Sequence, residues 1–230
     1  MKKILLLLII ALFPIFVLAR EYEAEDINLT LDINDQYVVL TRDNLSNNDN
    51  LNKLNVSREY IESVMSNSDV YMVIIKNNVS YEILVVVPET VQSFSDFDHI
   101  DDETYEELRN EFVKKTGVEV YNARSDRHGF IVADYYDKET GYYMINYHTV
   151  ANYRGYNIQL QKKSEITDEE KQELKELVYS IKIKNTEDNE SNDKKSFNYD
   201  NLIYGIIIGS IAGIITYYVD IYRRKRKASK

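Results

Sequence analysis

Two long apolar runs lie near the ends of this 230-residue chain, and they restrict any globular fold to the residues between them. The first covers residues 4–18. The second covers residues 202–219, carries no charge, and is long enough to cross a hydrocarbon layer of about 30 Å with little tilt. Neither run has the alternating pattern of a half-buried strand or helix. The sequence therefore predicts one water-soluble domain with an apolar segment on each side.

The first run is typical of a secretory signal over residues 1–19. It follows Lys2 and Lys3 and ends in Val17, Leu18 and Ala19, a small-residue pattern at which a signal peptidase can cut. An uncleaved N-terminal anchor is the alternative interpretation. Both interpretations predict that the domain that follows is exported.

The second run predicts a transmembrane helix over residues 202–222. The residues after it, 223–230, form a basic tail with Arg223, Arg224, Lys225, Arg226 and Lys227. Because cytoplasmic flanks of membrane helices are rich in Lys and Arg, this tail indicates a cytoplasmic C-terminus. We expect a single-pass protein of the cell membrane whose domain lies outside.

Three glycines of the second run recur at every fourth position: Gly205, Gly209 and Gly213. This spacing places them on one face of a helix, where a second helix can approach closely. The pattern favours a homodimer through the membrane helix. The alternative is a plain anchor whose glycines face lipid.

Composition limits the partners of the exported part. The formal net charge is −10. Eight of the 28 basic residues but only Asp220 of the 38 acidic ones lie outside residues 20–200, which leaves 20 basic against 37 acidic residues, or −17. Such a domain repels nucleic acid and favours basic partners or divalent cations. The absence of cysteine excludes disulfides, thiol nucleophiles and thiolate metal sites.

Strand and helix patterns alternate over residues 20–184, which predicts one α+β domain. Residues 27–33 and 70–86 read as strands, the latter as a hairpin turning at Asn77 and Asn78. Helices are predicted after Ser57, over residues 101–116 and from Thr167 onward, where Glu170 completes a capping box. Residues 129–161 predict three strands in a meander. Residues 185–201 have little to bury and predict a flexible stalk.

The order of these elements, with "YYMINYHTVANYRGYNIQLQ" followed by "ITDEEKQELKELVYSIKI", resembles the PsbP-like superfamily over about residues 27–183. The resemblance implies an antiparallel sheet flanked by helices in an α/β/α sandwich. It also implies a binding or assembly domain without catalytic activity. It supplies no catalytic motif and no cofactor.

An acidic stretch contains the candidate metal ligands Asp96, Asp98 and Asp101. Carboxylates of this kind hold calcium, but the spacing departs from that of an EF-hand loop. The alternative interpretation is a solvated loop before an acidic helix start. Among the histidines, His128 is interpreted as an exposed loop residue, and His148 as a residue packed in the sheet or facing solvent.

Tyrosines are concentrated in the meander, where they either pack the sheet or form an aromatic platform for a glycan or peptide. The seven candidates are Tyr135, Tyr136, Tyr142, Tyr143, Tyr147, Tyr153 and Tyr156.

Together these patterns favour a membrane-anchored extracytoplasmic binding or assembly module that is not an enzyme and that docks an unknown protein or ligand. One alternative is an extracytoplasmic hydrolase that uses His128 or His148 with carboxylates. Another is an accessory subunit of a larger membrane complex.

Overall fold

A computed structural model describes residues 19–45, 51, 57–67, 69–76, 82–87, 95–98, 100–138 and 140–184. These residues form ten strands and three α-helices longer than one turn. The strands are β1 (Ala19–Ala24), β2 (Leu29–Asn34), β3 (Tyr37–Thr41), β4 (Val70–Lys76), β5 (Glu82–Val86), β6 (Val120–Arg124), β7 (Gly129–Asp137), β8 (Tyr142–Ala151), β9 (Arg154–Lys162) and β10 (Lys182–Ile183). The helices are α1 (Arg58–Asn67), α2 (Asp102–Thr116) and α3 (Asp168–Tyr179).

The strands form two antiparallel sheets. A small sheet has the order β1-β2-β10, and a large sheet has the order β3-β4-β5-β9-β8-β7-β6. The two strands of the predicted hairpin are confirmed as β4 and β5, whereas its predicted turn at Asn77 and Asn78 lies outside the described residues. The predicted meander is confirmed as β7, β8 and β9. Strands β1, β3, β6 and β10 were not predicted. The mixed α+β class with antiparallel sheets is confirmed.

The link between β8 and β9 is a two-residue turn, Asn152 and Tyr153, with φ of 52° and 60°. Two consecutive residues with positive φ match the type I′ turn that suits the twist of a hairpin. The turn sets Ala151 opposite Arg154, and from there the register runs to Tyr143 opposite Lys162. The longest pairing in the large sheet therefore starts from this turn.

Local capping defines α2 and α3 as the sequence predicts. The Asp101 carboxylate accepts a hydrogen bond from the Thr104 N–H at the start of α2, and Gly117 ends that helix with φ of 70°. Thr167 and Glu170 form the predicted capping box of α3. The sequence repeats Leu174, Leu177, Val178 and Ile181 at helical spacing, which predicts a helix that includes Ile181. The helix in fact ends at Tyr179, and Ile181 lies beyond its end but is fully buried.

Helices cover both faces of the large sheet. On one face, α3 and β2 pack together in one continuous apolar cluster, which we call the α3-side core. This cluster also contains residues of β1, β3, β4, β5, β7, β8 and β9. On the opposite face, α1 packs over β3, β4 and β5, and α2 packs over β6, β7 and β8, in two separate clusters. This arrangement places helix layers on either side of a central sheet.

Within the described part of the chain, no helix is long and apolar enough to cross a membrane. The predicted transmembrane helix, stalk and basic tail lie outside the described residues, as does the predicted signal apart from Ala19. The glycine face and the five basic residues of the tail therefore stay predictions.

Candidate functional site

A surface cleft with a volume of about 270 Å³ lies between the second half of α3 and the end of β2. Its floor and walls come from the start of β1, the β2–β3 turn and the last two turns of α3. The lining residues are Ala19, Asp32, Asn34, Gln36, Tyr37, Glu173, Glu176, Leu177 and Ser180. Six of the nine lining residues are polar and three of these are carboxylates, while Leu177 and Tyr37 contribute large apolar surfaces.

One of the three carboxylates, Glu173, is held in place by the sheet. Lys76 Nζ lies 2.8 Å and 2.9 Å from its two oxygens, and the Tyr37 hydroxyl donates to it at 2.9 Å. The side chains of Lys76 and Glu173 are only 26% and 24% exposed, so the pair is partly shielded from water. These contacts fix α3 to β3 and β4 and give the cleft a rigid wall.

The other two carboxylates, Asp32 and Glu176, are exposed. Neither makes a direct ion pair with any residue that the structure describes, although Lys182 interacts with the Asp32 charge at longer range and Glu176 accepts a hydrogen bond from the Gln172 amide at 2.8 Å. The last turn of α3 carries no basic residue. Because the carbonyl end of a helix has partial negative charge, it adds to the field of these carboxylates. The cleft is therefore chemically suited to a cationic group.

The predicted acidic cluster does not converge on one point. Asp96 Oδ1 accepts the Asp98 N–H at 3.0 Å, and Asp101 caps α2 through the Thr104 N–H at 2.7 Å. The Thr104 hydrogen bond lowers the pKa of the Asp101 carboxyl. Over the described residues, no group of three or more His, Asp or Glu side chains has the arrangement of a metal site.

The third member, Asp98, meets His128 instead. His128 Nδ1 lies 3.1 Å from Asp98 Oδ2, and Asp98 Oδ1 accepts the Gly129 N–H at 3.0 Å. The interpretation of His128 as an exposed loop residue is wrong, since it is 8% exposed and its ring meets Phe130 edge-on. Its side-chain partner Asp98 lies thirty positions earlier in the chain, so the local sequence does not predict this contact.

The Asp98–His128 contact fixes the chemistry of the imidazole. A carboxylate only accepts hydrogen bonds, so Nδ1 carries the proton and a neutral ring presents a lone pair at Nε2. That Nε2 is buried without a hydrogen-bond partner among the described residues. Beside it, Gly129 is closely packed, because a Cβ there would lie 2.7 Å from the Tyr105 hydroxyl. Asp98 thus orients His128 as it would a general base, but the His128 Nε2 atom is buried.

His148 belongs to a different set, the polar strip, which lies on β8 and β9 on the face that carries α1 and α2. All of its members are 0% or 1% exposed: Asn146, His148, Asn157, Gln159 and Gln161. Asn157 Oδ1 lies 2.8 Å from His148 Nδ1 and accepts from Asn146 Nδ2 at 3.3 Å. Burial lowers the pKa of His148 to about 4. His148 is therefore packed and neutral.

The sequence does show the polar strip, as polar residues at alternate positions of two strands. Alternation of this kind ordinarily marks a solvent-facing side, so it gave no reason to expect burial.

The tyrosines do not form one platform. Tyr142, Tyr147 and Tyr156 are 2%, 5% and 1% exposed, so sheet packing accounts for them. Tyr136 is 49% exposed and lies against Tyr143 with ring centres 4.8 Å apart. The exposed aromatic surface of the meander is therefore smaller than seven tyrosines would allow.

No protein-family model matches the sequence, and no curated protein is recognisably similar to it. By structure, this α+β chain is similar to the solution structure of cyanobacterial PsbP (CyanoP) from Synechocystis sp. PCC 6803. That likeness has a TM-score of 0.43 and 9% identity, and covers 74% of this chain and 94% of that one.

A second similar structure is a protein of Bacteroides thetaiotaomicron VPI-5482, with a TM-score of 0.43 and 6% identity. The likeness covers 75% of this chain and 50% of that one. Both likenesses concern the fold alone.

Proposed function

We propose that this protein is an extracytoplasmic binding module, anchored in the membrane by residues 202–222, that docks a basic partner in the cleft beside α3. The observation that carries the proposal is the pair Asp32 and Glu176, two exposed carboxylates at the carbonyl end of a helix that has no basic residue in its last turn.

The charge of the whole domain supports the same class of partner. A net charge of about −17 over residues 20–200 raises the local concentration of cationic groups and speeds their encounter, most strongly at low salt. The cleft then supplies the local contact. A lysine or arginine side chain suits its volume and lets the stem of that side chain lie along Leu177.

The test is binding of a ten-residue peptide of alternating lysine and glycine to the full-length protein in nanodiscs. Exchange of both carboxylates, as Asp32→Asn with Glu176→Gln, should weaken binding about 5- to 10-fold, since each partly solvated contact contributes up to about 1 kcal/mol. The control, Glu119→Gln with Glu169→Gln, removes the same charge from exposed positions outside the cleft. Equal weakening in the two variants would assign the binding to general acidity and overturn the proposed site.

We further propose that Gly205, Gly209 and Gly213 pair two copies through the membrane helix. Crosslinking of the full-length protein in its own membrane should give a homodimer, and replacement of the three glycines by isoleucine should abolish it. A crosslink to a different protein that survives this replacement would instead support the accessory-subunit alternative.

A hydrolase is a second candidate, because Asp98 orients His128 as it would a general base, although a substrate would first have to reach the buried Nε2. Replacement of His128 by alanine should then abolish turnover of an ester such as p-nitrophenyl acetate, whereas His148→Ala should not. Activity that is equal in the wild type and His128→Ala would remove this candidate.

A further inference from the structure

The two edge strands of the large sheet differ in their exposure. Residues 38–41 of β3 are all buried, whereas Tyr121, Asn122 and Arg124 of β6 are exposed. Tyr121 alone is 48% exposed. An exposed edge strand offers unpaired N–H and C=O groups to a further strand, and β6 contains neither proline nor lysine to discourage this. The sheet is therefore open to extension at β6.

The contacts of β6 with β7 show which of its backbone groups point outward. The Ser125 N–H donates to the His128 carbonyl at 2.9 Å, and the register continues with Ala123 opposite Phe130. Hydrogen-bonded pairs alternate along an antiparallel ladder, so Ala123 and Tyr121 direct their main-chain groups toward β7. The three residues between and beside them, Val120, Asn122 and Arg124, direct theirs away from the sheet.

We propose that β6 pairs antiparallel with β6 of a second copy of this chain, about a two-fold axis at Asn122. In this register Asn122 lies opposite Asn122 of the second copy, and Val120 lies opposite Arg124. All three outward-facing residues of each strand are then hydrogen-bonded, which is the full ladder that β6 can form.

The side chains of β6 are self-complementary in this register. Tyr121 lies opposite Ala123 of the second copy, a large residue against a small one, and the two central amides can bond to each other. No like charges lie directly opposite each other, so local charge does not oppose the pairing.

This interface is independent of the two proposed above. The cleft is built from β1 to β3 and α3, and β3 is at the other edge of the large sheet, so pairing through β6 leaves both clefts accessible. The interface also requires no contact between membrane helices.

Because the chain has no cysteine, a disulfide between two copies of a single-cysteine variant must join the introduced cysteine of each copy. Hydrogen-bonded antiparallel partners have Cα atoms about 5.5 Å apart, within the range that a disulfide spans. Full-length Asn122→Cys, mildly oxidised in its membrane, should therefore give a disulfide-linked dimer. The control Arg124→Cys is also exposed, but its two copies lie about 13 Å apart in this register, so it should stay uncrosslinked.

A mixing experiment tests the register itself. Tyr121→Cys and Ala123→Cys should each give little dimer alone and a mixed dimer when they are produced together. Crosslinking of Asn122→Cys that does not exceed that of Arg124→Cys would overturn the proposal.

Repeating the series with isoleucine at the three membrane glycines separates the two interfaces. In the chain that keeps its three membrane glycines, stronger crosslinking of Asn122→Cys than of Arg124→Cys supports the β6 interface. A lower total amount of dimer after the isoleucine replacements supports the membrane-helix interface.

Discussion

The two faces of the large sheet are both covered by helices but are packed by different means. The α3 side is one apolar cluster that joins β2, α3 and most strands of the sheet. The opposite side is two apolar clusters, one under α1 and one under α2, with the polar strip on the strands between them. The same strands, β8 and β9, thus present an apolar and a polar side.

The difference indicates that the two faces contribute unequally to stability. Apolar burial contributes about 25 cal/mol per Å², whereas a buried polar atom without a partner costs about 1–3 kcal/mol. On the polar side, His148 Nε2 and Gln159 Oε1 are buried without a partner among the described residues. We therefore expect the α3 side to set the stability of the fold and the helices of the other side to act more independently.

The largest expected effect is on the α3 side. Leu174 is fully buried in the α3-side core, so Leu174→Ala should lower the free energy of unfolding by about 2–5 kcal/mol. Gln172→Ala, on the exposed side of the same helix, should lower it by less than about 0.5 kcal/mol. Urea unfolding followed by circular dichroism measures both. Similar losses for the two variants would show that this core does not dominate.

The second prediction concerns the polar strip and uses the pH dependence of the free energy of unfolding. His148 titrates near 6.5 when unfolded and near 4 when folded, so between these values the unfolded chain binds more protons. The contribution of neutral His148 to the free energy of unfolding is fully present above about pH 6.5. It is lost as the pH falls to about 4, which lowers the free energy of unfolding by roughly 3 kcal/mol. Urea unfolding at several pH values should show a weaker dependence for His148→Gln than for the wild type. Parallel pH curves for the two proteins would contradict a buried neutral His148.

A third and smaller effect concerns the caps that anchor one helix on each face. Thr167 accepts from the Glu170 N–H at the start of α3, and Asp101 accepts from the Thr104 N–H at the start of α2. Thr167→Ala and Asp101→Ala should each cost about 1 kcal/mol, whereas Thr167→Ser and Asp101→Asn should retain most of that stability. Equal losses for alanine and for the conservative exchange would show that the hydroxyl and carboxylate do not act as caps.

The smallest effect measures whether each face acts as one unit. Tyr179 of α3 stacks on Phe130 of β7 with ring centres 6.2 Å apart, so alanine exchanges at both should couple by about 0.5–1.5 kcal/mol. Met65 of α1 and Leu108 of α2 lie in separate clusters, and their exchanges should add within about 0.5 kcal/mol. A double-mutant cycle for each pair gives the comparison, and strong coupling of Met65 with Leu108 would erase the distinction between the faces.

The sequence predicted elements whose signals are local. The capping box at Thr167, the acidic start of α2 and the stop at Gly117 each depend on residues a few positions apart. Strand β6 escaped prediction because its five residues show no strong apolar alternation, and most of them are exposed at a sheet edge. The Asp98–His128 contact and the cleft each join segments that are far apart in sequence, so no local sequence pattern predicts them.

The small sheet has a consequence for how the domain is presented. Ala19 of β1 lies opposite Asn34 at the cleft end of β2, whereas Ile183 of β10 lies opposite Leu29 at the other end. The described chain then leaves past Lys184, whose backbone is bonded to Asn28 and Asn152. A tether that continues from this point holds the end of β2 that is roughly 17 Å from the cleft end. If residues 202–222 anchor the protein as proposed, the tether therefore joins the domain at the end of the small sheet away from the cleft.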